Sequence, residues 1–173
     1  MGLASELGYS IGEIGAIRRG VAALGSTRPV SAVSNKVIRP IDRFVLGLSG
    51  GRSTATSWLI GIPPLWVTTT GVRSGMARVV PLFGIPIRED LALLGTSFGQ
   101  RATPAWVRNL EHEPRVSVTF RGIEVAAVAR PADEKEKSTI WESAAAIYQG
   151  YSNYADWASH REIKVFVLES AGD

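Results

Sequence analysis

Cysteine is absent from all 173 residues, and histidine occurs only twice. The first absence removes disulfides, thiolate nucleophiles and cysteine-ligated metal centres together. The second leaves His112 and His160 without a histidine partner at ligand spacing, so no histidine metal site is expected. His112 falls near the end of a predicted helix and reads as a solvated C-terminal residue. Charge of one sign is also in short supply. The net charge is +3 and the pI about 9.5, with the cations scattered along the chain. That balance favours acidic ligands modestly, but nucleic-acid binding needs a continuous basic stripe, and none is present. Long apolar runs are missing as well. The longest, residues 58–67, contains Pro63 and Pro64 and is too short to span a bilayer. Glu6 and Glu13 interrupt the region where a signal peptide would be apolar. A cytoplasmic protein is expected, with peripheral contact at the inner membrane face left open.

What is present suits a folded domain: 45% of residues are hydrophobic, enough for one real core. Residues 1–35 are rich in Gly, Ala and Ser and read as an extension rather than core. Within them Leu7, Ile11, Ile14, Ile17 and Val21 repeat at helical spacing beside Arg18 and Arg19. Gly8, Gly12 and Gly15 each weaken that helix by up to ~1 kcal/mol. A floppy tail and an amphipathic helix against lipid or a partner subunit therefore compete. Residues 36–173 read as the domain proper, starting with a second helical pattern over 35–48 that Gly50-Gly51 ends.

The middle of the chain reads as strands. Leu65–Thr70 follows Pro63-Pro64, and Arg78–Pro86 and Leu91–Thr96 flank the polar turn Arg88-Glu-Asp90. Val116–Phe120 and Ile123–Ala129 flank Arg121-Gly122, a tighter hairpin. Asp133 with Glu136 predicts a capping box, opening a helix that buries Ile140, Trp141, Ala144, Ile147 and Tyr148. An aromatic segment, Tyr148–Trp157, precedes a last strand at Lys164–Leu168. Five to six mainly antiparallel strands with inserted helices predict an α+β fold, a small closed barrel.

Three motifs carry the chemistry. In Thr68-Thr-Thr-Gly-Val-Arg73-Ser-Gly-Met-Ala-Arg78-Val-Val-Pro81, a β-branched run stops at a Gly/Ser turn bearing a cation, and a second cation follows. Consecutive N–H groups in such a turn can form a concave anion site, to which Arg73 and Arg78 add full charges. Thr103-Pro104-Ala-Trp106 reads as a helix start, with Thr103 as N-cap and Pro104 at the first helical position. Tyr148, Tyr151, Tyr154 and Trp157 recur at a spacing of three. Each also has a plain reading: an exposed hairpin turn, a core tryptophan, aromatic packing at a helix end.

Taken in order, these motifs resemble the deazaflavin (F420)-dependent nitroreductase and quinone reductase family, over about Arg43 to Glu169. The resemblance implies a split β-barrel that uses coenzyme F420, an 8-hydroxy-5-deazaflavin with a phospholactyl and oligoglutamate tail. It implies that Val72, Arg73, Ser74, Arg78, Val79, Val80, Pro81, Leu82 and Phe83 hold the phosphate and flank the ring. Gly95, Thr96, Ser97 and Phe98 would approach the ring edge. Ala105, Trp106, Val107, Arg108 and Asn109 would close the other side. Tyr151 would touch cofactor and substrate, and Phe83, Tyr148 and Tyr154 would line the substrate cavity. The chain departs from the family pattern at Val72, Ala77 and Phe98, where Arg, Pro and Lys are common, which weakens capture of a polyanionic tail. The activity implied is hydride transfer from reduced F420 to a quinone, enone or nitroaromatic acceptor, with a proton from Tyr151, Ser97 or water. Two alternatives stand beside it: an FMN enzyme on the same barrel, and a non-catalytic member that binds an apolar ligand or a membrane. A homodimer is expected on resemblance alone.

Overall fold

Strand β1 (Leu65–Thr70) alternates buried and half-buried residues, which places Leu65, Val67 and Thr69 on the inner face of a sheet. The computed structural model describes residues 2–11, 62–97, 101–148, 150–157 and 160–172, apart from the side chains of Tyr154, Ala155 and Trp157. Six further strands follow among the described residues: β2 (Ala77–Leu82), β3 (Ile85–Ile87), β4 (Asp90–Leu94), β5 (Arg115–Phe120), β6 (Ile123–Pro131) and β7 (Val165–Ser170). All pair antiparallel in one sheet of order β2-β1-β5-β6-β7-β4-β3.

That order forces the sheet to curl. Its two edge strands, β2 and β3, are consecutive in the chain and separated only by Phe83-Gly84. Three Cα steps from Leu82 to Ile85 span at most ~11 Å, so the two edges must lie side by side. The fold is the expected α+β split barrel. The expected strand Arg78–Pro86 is broken at Phe83-Gly84, because its first part pairs with β1 and its second with β4. Gly84 sits where a Cβ would come within 2.6 Å of Leu65 Cδ1. A side chain there would force the buried Leu65 to move.

The expectation of a non-core N-terminus fails for residues 2–11. Helix α1 (Leu3–Leu7) buries Leu3 and Leu7 completely in the core and ends at Gly8 in the left-handed conformation. Leu3 N–H donates to Asp90 Oδ1 at 3.2 Å and Ala4 N–H to Glu89 O at 2.9 Å, docking the helix on the β3–β4 turn. Tyr9 packs edge-on against Phe120, ring centroids 5.0 Å apart, and its hydroxyl reaches Gly84 O and Pro63 O at 3.0 and 3.1 Å. Tyr9 thus fastens the barrel at the break between β2 and β3. Leu3 and Leu7 are spent on the core, not offered to lipid. The repeat beyond Ile11 and the helical pattern at 35–48 lie outside the described residues.

The other helices among the described residues are α2 (Ala105–His112), α3 (Glu134–Ile147) and α4 (Gly150–Trp157). Pro104, not Thr103, takes the cap position of α2, because its extended ψ of 145° keeps it out of the helix, and no side chain caps that end. The capping box at α3 forms as predicted, with Glu136 N–H donating to Asp133 Oδ1 at 2.8 Å. The Arg121-Gly122 hairpin also forms, both residues at positive φ.

Candidate active site

A cleft of about 930 Å³ is walled by β2, the ends of β1 and β4, the start of α2, and the junction of α3 with α4. Such a volume suits a large, flat cofactor together with an acceptor. Of the residues expected at the site, Val72, Arg73, Ser74, Arg78, Val80, Pro81, Leu82 and Phe83 line it. So do Thr96, Ser97, Ala105, Trp106, Arg108, Asn109, Tyr148 and Tyr151. Val79, Gly95 and Val107 do not. Val79 points to the other side of β2, where 61% of it is exposed. Val107 is buried beneath the cleft, and a Cβ on Gly95 would lie 3.0 Å from its Cγ2, so these two pack on each other. Phe98 and the side chain of Tyr154 lie outside the described residues.

The turn between β1 and β2 differs chemically from its sequence reading. Its backbone N–H groups are largely consumed inside the fold. Ser74 and Gly75 N–H donate to Gly71 O at 3.1 and 2.7 Å, Met76 N–H to Ser74 Oγ at 3.3 Å, and Val72 N–H to Asn109 Oδ1 at 3.2 Å. A nest of consecutive free N–H groups is therefore absent there. The donors that remain are the Arg73 N–H and side chains. Arg78 Nη2 lies 3.4 Å from Ser74 Oγ. Met76 N–H and Arg78 thus both donate to Ser74 Oγ, which leaves the serine its proton to give. Arg73, Arg78 and Arg108 are exposed, and among the described residues no carboxylate lines the cleft.

Asn109 is buried, and its Nδ2 donates to Thr69 Oγ1 at 2.9 Å. With its Oδ1 on Val72 N–H, it ties the turn to α2. The sequence reading missed Thr69 as a site residue, although the period of two in β1 puts it on the same face as Leu65 and Val67. Arg161 was also missed: its Nη2 donates to Gly95 O and Thr96 O, both at 2.9 Å. Nothing in its local sequence marks it, since those contacts span 65 and 66 residues. Ile62, Pro64, Leu93 and Leu94 add apolar wall.

Trp106 is both core and wall, 9% exposed and edge-on to Phe166 at 6.2 Å. Tyr148 and Tyr151 stack edge-to-face at 5.9 Å and 79°, and both are buried. Tyr148 breaks the helix, with φ −148° and ψ 111°, and its ring lies across Gly150, where a Cβ would meet Cε1 at 2.2 Å. Burial pushes the Tyr151 phenol well above its ordinary pKa, so it stays protonated.

An apolar cleft on a split barrel, with aromatic walls and a cationic turn, suits a flat, anionic ligand. Residues 41–170 match the F420H(2)-dependent quinone reductase family, and the chain belongs to it. It is an oxidoreductase whose cofactor is coenzyme F420. A Mycobacterium tuberculosis protein, Rv3178, that carries the name of an F420H(2)-dependent quinone reductase is 25% identical over 107 residues, which are 62% of this chain and 89% of that one. The solved structure of the F420-H2 dependent reductase FDR-A is 30% identical with a TM-score of 0.56, covering 61% of this chain and 93% of that one. A second structure, solved as a domain-swapped dimer, is 27% identical with a TM-score of 0.58, covering 82% and 99%.

Proposed function

We propose that this reductase passes a hydride from reduced F420 to a quinone-like acceptor in the cleft described above. The observation that carries the reading is the charge of that cleft: three arginines and no carboxylate among the described lining residues, on otherwise apolar walls. That donor set fits a phosphorylated, carboxylate-rich tail joined to a flat ring. Arg73, Arg78 and the Ser74 hydroxyl would hold the phosphate, and Arg108, beside the Asn109 that binds the Val72 N–H, supplies a further cation on the cleft wall. Trp106 would wall the ring from the α2 side, and Val80 and Leu82 from β2.

Bound in its reduced form, the cofactor supplies the hydride; the chain supplies position, exclusion of water and a proton. Tyr151, protonated and on the cleft wall, would give that proton to the reduced acceptor, with Ser97 as the other donor on that wall. Phe83 and Tyr148 would pack against the acceptor. A quinone suits this lining better than an enone or nitroaromatic, because its fused or alkylated ring fills an aromatic wall. Pairing of two copies is part of the reading, supported by the related structure solved as a dimer. The test is reoxidation of reduced F420 by menadione with purified protein. Turnover is expected, and the absence of both binding and turnover at micromolar protein would end the proposal.

A further inference from the structure

Arg161 stands outside the cleft lining yet holds part of it in place. Its Nη2 donates to two successive carbonyls, Gly95 O and Thr96 O, just beyond the end of β4. Along a regular strand successive carbonyls point to opposite sides, so a turn to one common donor is a departure from the pleat. No cis peptide occurs among the described residues, and a trans peptide sets its N–H opposite its C=O. The N–H groups of Thr96 and Ser97 therefore face away from Arg161. Thr96 and Ser97 line the cleft. Among the described residues neither N–H meets an acceptor, whereas the N–H groups of the β1–β2 turn are mostly spent. Ser97 moreover adopts φ 47°, a left-handed conformation that a side chain disfavours and that outside contacts must hold.

We infer that Arg161 is a positioning residue, fixing the 95–97 backbone so that the paired N–H donors of Thr96 and Ser97 serve an electron-rich oxygen or nitrogen on the edge of the bound ring. The inference rests on the F420 reading above. A guanidinium suits the task because it is always charged and offers its donors in a rigid plane. The plain alternative is that Arg161 only ties its own loop to β4, beside the bond from Gly95 N–H to Lys164 O at 2.9 Å.

Amide hydrogen exchange at Thr96 and Ser97, with and without oxidised F420, separates the two, read beside F420 titration by fluorescence and thermal melting. In the unaltered chain F420 should slow exchange at both amides by tenfold or more. Arg161→Met should lose that protection and bind F420 at least tenfold more weakly, and Arg161→Lys should recover part of both. The inference is overturned if F420 binds the unaltered chain without protecting these amides, or if Arg161→Met keeps protection and affinity together. Should Arg161→Met fail to fold, the unaltered chain and the lysine variant decide by the same readouts. An unaltered chain that does not bind F420 overturns the cofactor reading itself and this role with it.

Discussion

Asn109 donates to the hydroxyl of Thr69 at 2.9 Å while its carbonyl takes the N–H of Val72, so one buried amide joins helix α2 to the end of β1 and the start of the cationic turn. Thr69 in turn donates to Arg78 O at 3.3 Å. The chain of bonds sets where Arg73 and Arg78 stand relative to the cleft.

Asn109→Ala should lower stability by ~1–3 kcal/mol, because it leaves the Val72 N–H without its acceptor and takes a donor from the buried Thr69 hydroxyl. Thr69→Val should cost less, and the double variant should fall short of the sum by ~0.5 kcal/mol or more. Chemical denaturation of the four proteins measures the coupling, and strict additivity would show that the bond carries no stability. F420 affinity should fall in both single variants, since the turn loses its anchor.

Arg73→Ala should behave differently. The side chain is exposed, so the melting temperature should hardly move, while F420 affinity falls about tenfold or more for a lost charge-assisted contact. A sharp fall in melting temperature with unchanged affinity would make Arg73 a structural residue. Raising the salt concentration should weaken F420 binding to the unaltered chain more than to Arg73→Ala.

Tyr151→Phe keeps the ring and its packing on Tyr148 but removes the proton. F420 binding should stay within about threefold, while turnover with menadione falls about a hundredfold, the low end of what a positioned acid contributes. Burial holds the phenol protonated above its ordinary range, so turnover should show no loss from this group as pH rises toward 10. Unaltered turnover in Tyr151→Phe would shift the proton to Ser97 or water.

The outer shell offers a pH test that leaves the cleft alone. Arg130 binds both carboxylate oxygens of Glu136 at 2.7 Å and Glu169 at 2.7 Å, linking β6, α3 and β7. The Arg130 hydrogen bonds, then the Asp133 N–H, pull the Glu136 pKa from 4.5 down to about 2. A lowered folded-state pKa stabilises the fold above pH 4.5, and that share is lost as pH falls toward 2. Stability measured across that window should drop in the unaltered chain and drop less in Glu136→Gln. Parallel curves would show that the pair does not couple to folding.

Much of the fold was legible because it rests on local rules. The period of two in Val116–Phe120, the Arg121-Gly122 turn and the Asp133–Glu136 box each encode their structure within a few residues. Barrel closure was legible only as an outcome. The break at Phe83-Gly84 depends on Leu65 and Tyr9, far away in sequence. The same distance hid the role of α1, since the glycine-rich composition around it gives no sign that Leu3 and Leu7 meet a core. Of the residues read from type and spacing, Arg73, Arg78, Trp106, Tyr148 and Tyr151 line the cleft. Thr69 and Arg161 were not legible in that way, because they act on backbone groups that only the folded chain brings within reach. The turn itself was read correctly as cationic and incorrectly as a backbone nest. Spacing alone does not reveal that Asn109 has already taken an N–H.

A crystal structure of the protein with coenzyme F420 bound tests the central claim most directly. The phosphate should lie against Arg73, Ser74 and Arg78, with the ring between β2 and Trp106 and its edge beside Thr96 and Ser97. A ring bound elsewhere, or a cleft closed by Trp106, Tyr148 and Tyr151 at saturating cofactor, would contradict it.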